Sequence, residues 1–196
     1  MYRLLLQFLL AISLPVLIGI SLPDTPRNEA APGTEYPEHI PGRFTGGFGE
    51  ETCHSCHFDY DINDERGSLE ITGIGDTYEP GSHYNITVTV SSERLGKGGF
   101  QMTTRFKDGS QAGSFAWSGD RLTLTPLEDT PVDYLQHSAA GTAPVEERTA
   151  RWTFVWQSPK DAKGPVTFHI AANAGNDDMS SFGDWIYVRE WVAEIE

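Results

Sequence analysis

Polar and apolar residues alternate along most of the chain beyond residue 67. In HYNITVTVSS, Tyr84, Ile86, Val88 and Val90 share one face, and Asn85, Thr87 and Thr89 the other. Trp152, Phe154 and Trp156 do the same in RWTFVWQ, as do Val166, Phe168 and Ile170 in PVTFHIAA. A period of two in β-branched and aromatic residues marks half-buried strands. Turn signals such as EPGSH, LGKGG, KDGS, WSGD, KDAKG and NAGNDD separate the runs. The pattern predicts strands near 68–74, 84–91, 99–106, 113–117, 121–126, 132–137, 149–157, 164–172 and 184–195. No convincing 3.6-residue period appears outside the N-terminus. Short strands joined by polar turns imply an all-β, antiparallel β-sandwich.

The pattern changes upstream. Residues 1–22 carry one arginine, Arg3, ahead of an apolar run from Leu4 to Leu22. This is the form of a signal peptide, although the run exceeds the usual apolar region and approaches the length that spans a bilayer. The segment is therefore expected to be a secretory signal or an N-terminal membrane anchor. Either places the remainder outside the cytoplasm, in the periplasm or at the cell surface. Residues 23–50 hold five of the twelve prolines and no apolar period, and read as a Pro-rich linker.

The net charge of −14 disfavours nucleic acid and favours a basic partner. Acidity also keeps an exported protein soluble. A local acidic group, Asp59, Asp61, Asp64 and Glu65, either shapes the field around the preceding motif or is simply solvated.

That motif is ETCHSCHFD, which contains both cysteines of the chain, Cys53 and Cys56, and two of its six histidines, His54 and His57. It precedes the first predicted strand and so belongs to a loop. Cys53-His54-Ser55-Cys56-His57 has the C-x-x-C-H form of c-type haem attachment. Each thiol can add to one haem vinyl group. A two-residue gap lets one turn of chain bring both sulfurs to the same porphyrin edge, with His57 beneath the ring facing iron. Three alternatives compete. A Cys53–Cys56 disulfide suits an exported protein, but it closes a very small loop and stabilises little. Zinc lacks the distant second ligand pair of structural sites. Thioredoxin-like chemistry belongs to a cytosolic setting.

His57 leaves the sixth iron position to be filled. His54 adjoins the tether and cannot cross the ring. His83 opens a strand, Met102 shares a core face with Phe100 and Phe106, and Met179 lies in an acidic loop. His169 is expected to point away from Phe168, as an exposed strand histidine or toward a haem lying on the sheet. His137 ends a strand beside the small-residue loop AAGTAP and is the favoured distal ligand. A methionine opposite histidine raises the reduction potential. An open site would instead suit gas or peroxide.

The ordered segments GGFQMT, AGSFAW, YLQHSAAGT, WTFVWQSP, GPVTFHIAANAGN and GDWIY resemble the reelin N-terminal-like (reeler) domain. They resemble more closely its exported bacterial "choice-of-anchor" relatives, over roughly residues 45–195. The resemblance implies an immunoglobulin-like sandwich, with Cys53, Cys56 and His57 as the haem tether. It places His137 where the family has a histidine before a small-residue loop, and His169 where an aromatic is usual. Such relatives often carry a C-terminal anchor, whereas DWIYVREWVAEIE reads as a strand, so anchoring would fall to the N-terminal segment.

The resulting expectation is an exported monohaem c-type cytochrome domain for single-electron transfer, alone or as an accessory subunit of a redox complex. Its cofactor would be one covalent haem c on Cys53 and Cys56, with iron held by His57 and His137. Its partner would be a redox protein, basic or part of a membrane complex. The competing class is a surface adhesion or recognition sandwich with a Cys53–Cys56 disulfide and no haem.

Overall fold

A computed structural model describes residues 42–125 and 127–196. The apolar segment 1–22 and linker residues 23–41 lie outside the described residues. Ten strands are present: β1 Gly67–Thr72, β2 Thr77–Tyr78, β3 His83–Ser92, β4 Lys97–Phe106, β5 Ser114–Ala116, β6 Leu122–Leu124, β7 Leu135–His137, β8 Thr149–Gln157, β9 Val166–Gly175 and β10 Trp185–Ile195. Among the described residues there is no α-helix. The strands form an all-β two-sheet sandwich, with a four-stranded sheet β1-β3-β8-β5 and a six-stranded sheet β2-β10-β9-β4-β7-β6.

Each of the nine strands expected from the alternation is present. The addition is β2, which has two residues and therefore no visible period. It also departs from the antiparallel rule, since Thr77 and Tyr78 run parallel to Glu194 and Ile195 at the end of β10.

The alternating residues form the layer between the sheets. Ile86, Val88 and Val90 on β3 stand beside Phe154, Trp152 and Ala150 on β8, and all six are buried. From the other sheet come Phe100, Met102, Phe168, Ile170, Ala172 and Ala174, likewise buried. The sheets meet through rings, with Trp152 and Phe100 centroids 4.6 Å apart and Trp156 and Phe168 4.9 Å apart. Burial of apolar surface of this kind supplies most of the stability of such a sandwich.

The six-stranded sheet is covered on its outer face as well. Gln101, Thr103 and Arg105, which alternate with the core residues of β4, are buried too. The cover comes from the arm formed by residues 42–65, together with Asp133 and Tyr134, which bond Thr103 and Arg105. The Phe44 N–H donates to Gln101 Oε1 at 2.6 Å, and Gln101 Nε2 donates back to the Gly42 carbonyl at 3.1 Å. Thr45 pairs with Thr52 as an isolated bridge. At the far end of the arm, the Asn63 N–H donates to the Ile186 carbonyl at 2.9 Å, and the Val188 N–H donates to Asn63 Oδ1 at 2.8 Å. Residues 42–50, assigned to the linker from composition, therefore pack against the sheet.

Two groups under the arm carry energetic consequences. Arg105 Nη2 donates to Glu50 Oε1 and to the Tyr134 hydroxyl, which itself donates to Glu50. The Arg105 and Glu50 side chains are only 6% and 9% exposed. Nearby, His169 does face away from Phe168, as expected, but it is not exposed. Gly47 lies against its ring so closely that an added Cβ would sit 2.4 Å from Cγ, and Phe48 meets it edge-on at 5.4 Å.

Removing one member of a buried ion pair strands the other charge at a cost of about 3–5 kcal/mol. Glu50→Ala should therefore lower unfolding stability in urea by about 3 kcal/mol. A loss below about 0.5 kcal/mol would mean that the arm is not seated on Arg105.

Burial lowers the His169 pKa below its usual 6.5; Glu190 and Glu50 oppose the shift and Arg105 adds to it. The folded state thus binds fewer protons than the unfolded chain between that lowered value and 6.5. The associated stability is complete above about pH 7 and declines as pH falls through 6.5 toward the folded value. His169→Gln should flatten the melting temperature between pH 7 and pH 5 relative to the unmodified chain. Parallel curves would assign the acid sensitivity elsewhere.

Candidate functional site

The cysteine–histidine segment follows the Thr45–Thr52 bridge and lies near β9 on the outer face of the six-stranded sheet. Cys53–Ser55 form a 3-10 turn whose N-cap is Thr52, with its hydroxyl accepting from the His54 N–H at 3.2 Å. The Cys53 carbonyl accepts from the Cys56 N–H at 3.3 Å and from the His57 N–H at 3.1 Å. A single carbonyl thus closes the turn that spaces both sulfurs and the following imidazole.

The two cysteines are free thiols, Cys53 half-buried and Cys56 exposed. Burial pushes the Cys53 thiol up to about 12, partly offset by a backbone hydrogen bond. His54 turns back on its own loop, with Nε2 3.0 Å from the Tyr60 carbonyl. Among the described residues, no three His, Cys, Asp or Glu side chains converge as a metal cage.

His57 is positioned from the far end of the sequence. Its Nδ1 lies 2.7 Å from Asp184 Oδ2, at ion-pair distance though not aligned as a hydrogen bond. Asp184 is almost fully buried, with a side chain 5% exposed. Its Oδ1 accepts from the Asn176 N–H at 3.0 Å, and its Oδ2 accepts from Asn173 Nδ2 at 3.3 Å. Asp184 thereby joins β9, the 176–184 loop and the tether. The flanking residues of that loop match the flanking residues of the tether. The Gly183 N–H donates to Asp59 Oδ2 at 2.7 Å, and Phe182 meets Phe58 edge-on at 5.7 Å. Both phenylalanines stay more than half exposed, so an apolar surface lies directly beside His57. Asp64, further along the acidic group, is engaged by Arg66 through its side chain and backbone, which holds its carboxyl down near 2.

His137 is the last residue of β7, and its Nδ1 lies 3.0 Å from both the Phe100 N–H and the Phe100 carbonyl, accepting from the one or donating to the other according to its tautomer. Its ring rests over Gly99, where an added Cβ would meet it at 2.9 Å. Gly99 pairs across the sheet with Asn173, the residue that donates to Asp184. His57 and His137 therefore belong to the same end of the six-stranded sheet. Met102 is core, as expected, and His83 is exposed. Met179 stands 85% exposed on the 176–184 loop.

Two pockets, of about 710 Å3 and 350 Å3, flank Phe48 at the other end of the arm, and neither is lined by Cys53, Cys56 or His57. The cysteine–histidine turn is partly covered, with Cys53, His54 and His57 half-buried and Ser55 and Cys56 exposed. The sequence pattern exposed the turn but not Asp184, whose only local signal was a lone acid in the FGDW turn.

No protein-family model matches the sequence, and no curated protein does. Among solved structures, the human F-spondin reeler domain (fragment 1) is similar at 19% identity over 68% of this chain and 92% of that one, with a TM-score of 0.42. The Reelin-N domain of F-spondin is similar at 18% identity over 68% and 89%, with a TM-score of 0.44. A cohesin module from a Clostridium perfringens family 33 glycoside hydrolase is similar at 15% identity over 66% and 96%, with a TM-score of 0.45. At these identities the likeness concerns the sandwich alone and does not bear on the cysteine–histidine turn.

Proposed function

We propose that this chain is an exported single-electron carrier holding one haem c through Cys53, Cys56 and His57. The observation that carries the reading is the orientation of His57. With Nδ1 2.7 Å from the buried Asp184 carboxylate, at ion-pair distance without an aligned hydrogen bond, Nε2 is the ring nitrogen left to meet a metal. Around it, two free thiols flank one turn of chain. The half-exposed Phe58 and Phe182 offer apolar surface to a planar apolar ring. The residues present therefore fit the group. Porphyrin brings four iron ligands of its own, so no protein-built cage is required.

When bound, such a haem would supply one-electron exchange at iron. The chain's own residues hold and tune it. Thr52 and the Cys53 carbonyl fix the turn, Asp184 orients His57, and Phe58 and Phe182 limit water on one side. The net charge of −14 would attract a basic redox partner. Export, expected from residues 1–22, would place that exchange in the periplasm or at the cell surface, where covalent attachment prevents loss of the cofactor.

Expression with haem-maturation machinery tests the reading. The purified chain should keep its Soret band after acid–acetone extraction and gain the mass of one haem. Cys53→Ala with Cys56→Ala should abolish both while leaving the melting temperature of the apoprotein within a few degrees. An unmodified mass and no extracted-resistant absorption in the parent chain would refute the reading and favour the recognition sandwich.

A further inference from the structure

We infer that Asp184 sets the electronic character of the iron site, lowering its reduction potential through His57; the inference rests on the haem reading above. A carboxylate this buried requires compensation for lost hydration. It receives two neutral N–H groups, from Asn176 and Asn173. Among the described residues its one ion pair is with His57, at 2.7 Å. The other cations of this region are directed elsewhere. Lys97 pairs with Asp177 at 2.7 Å, Arg66 with Asp64 at 2.7 Å, and Arg94 stacks over the Trp185 ring at 5.9 Å. The negative charge of Asp184 is thus left to act on the imidazole.

The physical consequence has a definite sign. A fixed negative charge beside Nδ1 makes the ring a more basic donor at Nε2. It also favours the iron state of higher positive charge, which is the oxidised one. The coupling is electrostatic and acts at low local dielectric, so it does not depend on an aligned hydrogen bond. On reduction of a bound haem, one electron would pass from the redox partner to iron, with no proton exchange required at this pair. Asp184 is therefore a positioning residue with an electronic effect. Asn173 moderates it, since its Nδ2 competes with His57 for the same Oδ2.

Two variants of the haem-loaded protein test the assignment. Asp184→Asn keeps an oxygen acceptor for the Asn176 N–H but removes the charge. It should move the reduction potential to a more positive value and, in the five-coordinate ferrous form, shift the iron(II)–histidine stretch in resonance Raman spectra to lower frequency. Asn173→Ala removes the competing donor and should move the potential the other way. A purely structural role for Asp184 would change melting temperature without these opposite shifts. If Asp184→Asn fails to fold, the Asn173→Ala shift decides alone. Covalent haem with parental potential and stretching frequency in the variants overturns the inference while leaving the haem reading intact. A parent chain without covalent haem removes both.

Discussion

The arm of residues 42–65 lying across the six-stranded sheet is the constraint on which the rest depends. A sandwich strand ordinarily buries one face and wets the other. Here β4 is buried on both faces: Gln101 and Arg105 bond to the arm at Phe44, Gly42 and Glu50, and Thr103 donates to the Asp133 carbonyl. The polar groups so enclosed are matched locally: Gln101 with Phe44 and Gly42, Arg105 with Glu50 and Tyr134. Buried polar groups held this way specify one seating of the arm rather than many. That seating brings Cys53, Cys56 and His57 to a defined place over β9, within reach of Asp184.

The sandwich was legible because its inner layer obeys a period of two. Ile86, Val88, Val90, Trp152, Phe154 and Trp156 could be assigned to one interior from spacing alone. β2 escaped detection because two residues cannot show a period. The arm escaped for a different reason. It is held by backbone and side-chain hydrogen bonds and by single rings such as Phe48, and it leaves no periodic trace in a glycine- and proline-rich stretch. Misreading the arm led in turn to the expectation of an exposed His169, which the strand's own alternation correctly turned away from Phe168 but which Gly47 and Phe48 then cover.

The site was half legible. C-x-x-C-H is a local pattern set by the geometry of one turn, so it stands out in sequence. The partner that orients its histidine is contributed by the start of β10, through the Asn176–Asp184 loop, and only the fold brings the two together. His137 lies at the same end of the sheet, linked to the tether through Gly99 and Asn173, with one ring nitrogen engaged by Phe100. The sandwich thus acts as a scaffold. Its sheet fixes the imidazole, its loops provide apolar surface beside it, and the chemistry rests with the motif.

The orientation of His57 is the central claim, and it can be measured without any cofactor. Nitrogen-15 NMR of the haem-free chain at neutral pH reports which ring nitrogen carries the proton. The account predicts that neutral His57 holds its proton on Nδ1, facing Asp184, with Nε2 unprotonated, and that Asp184→Asn shifts this balance. A His57 protonated on Nε2, or one averaging freely between tautomers as an exposed histidine does, would contradict it.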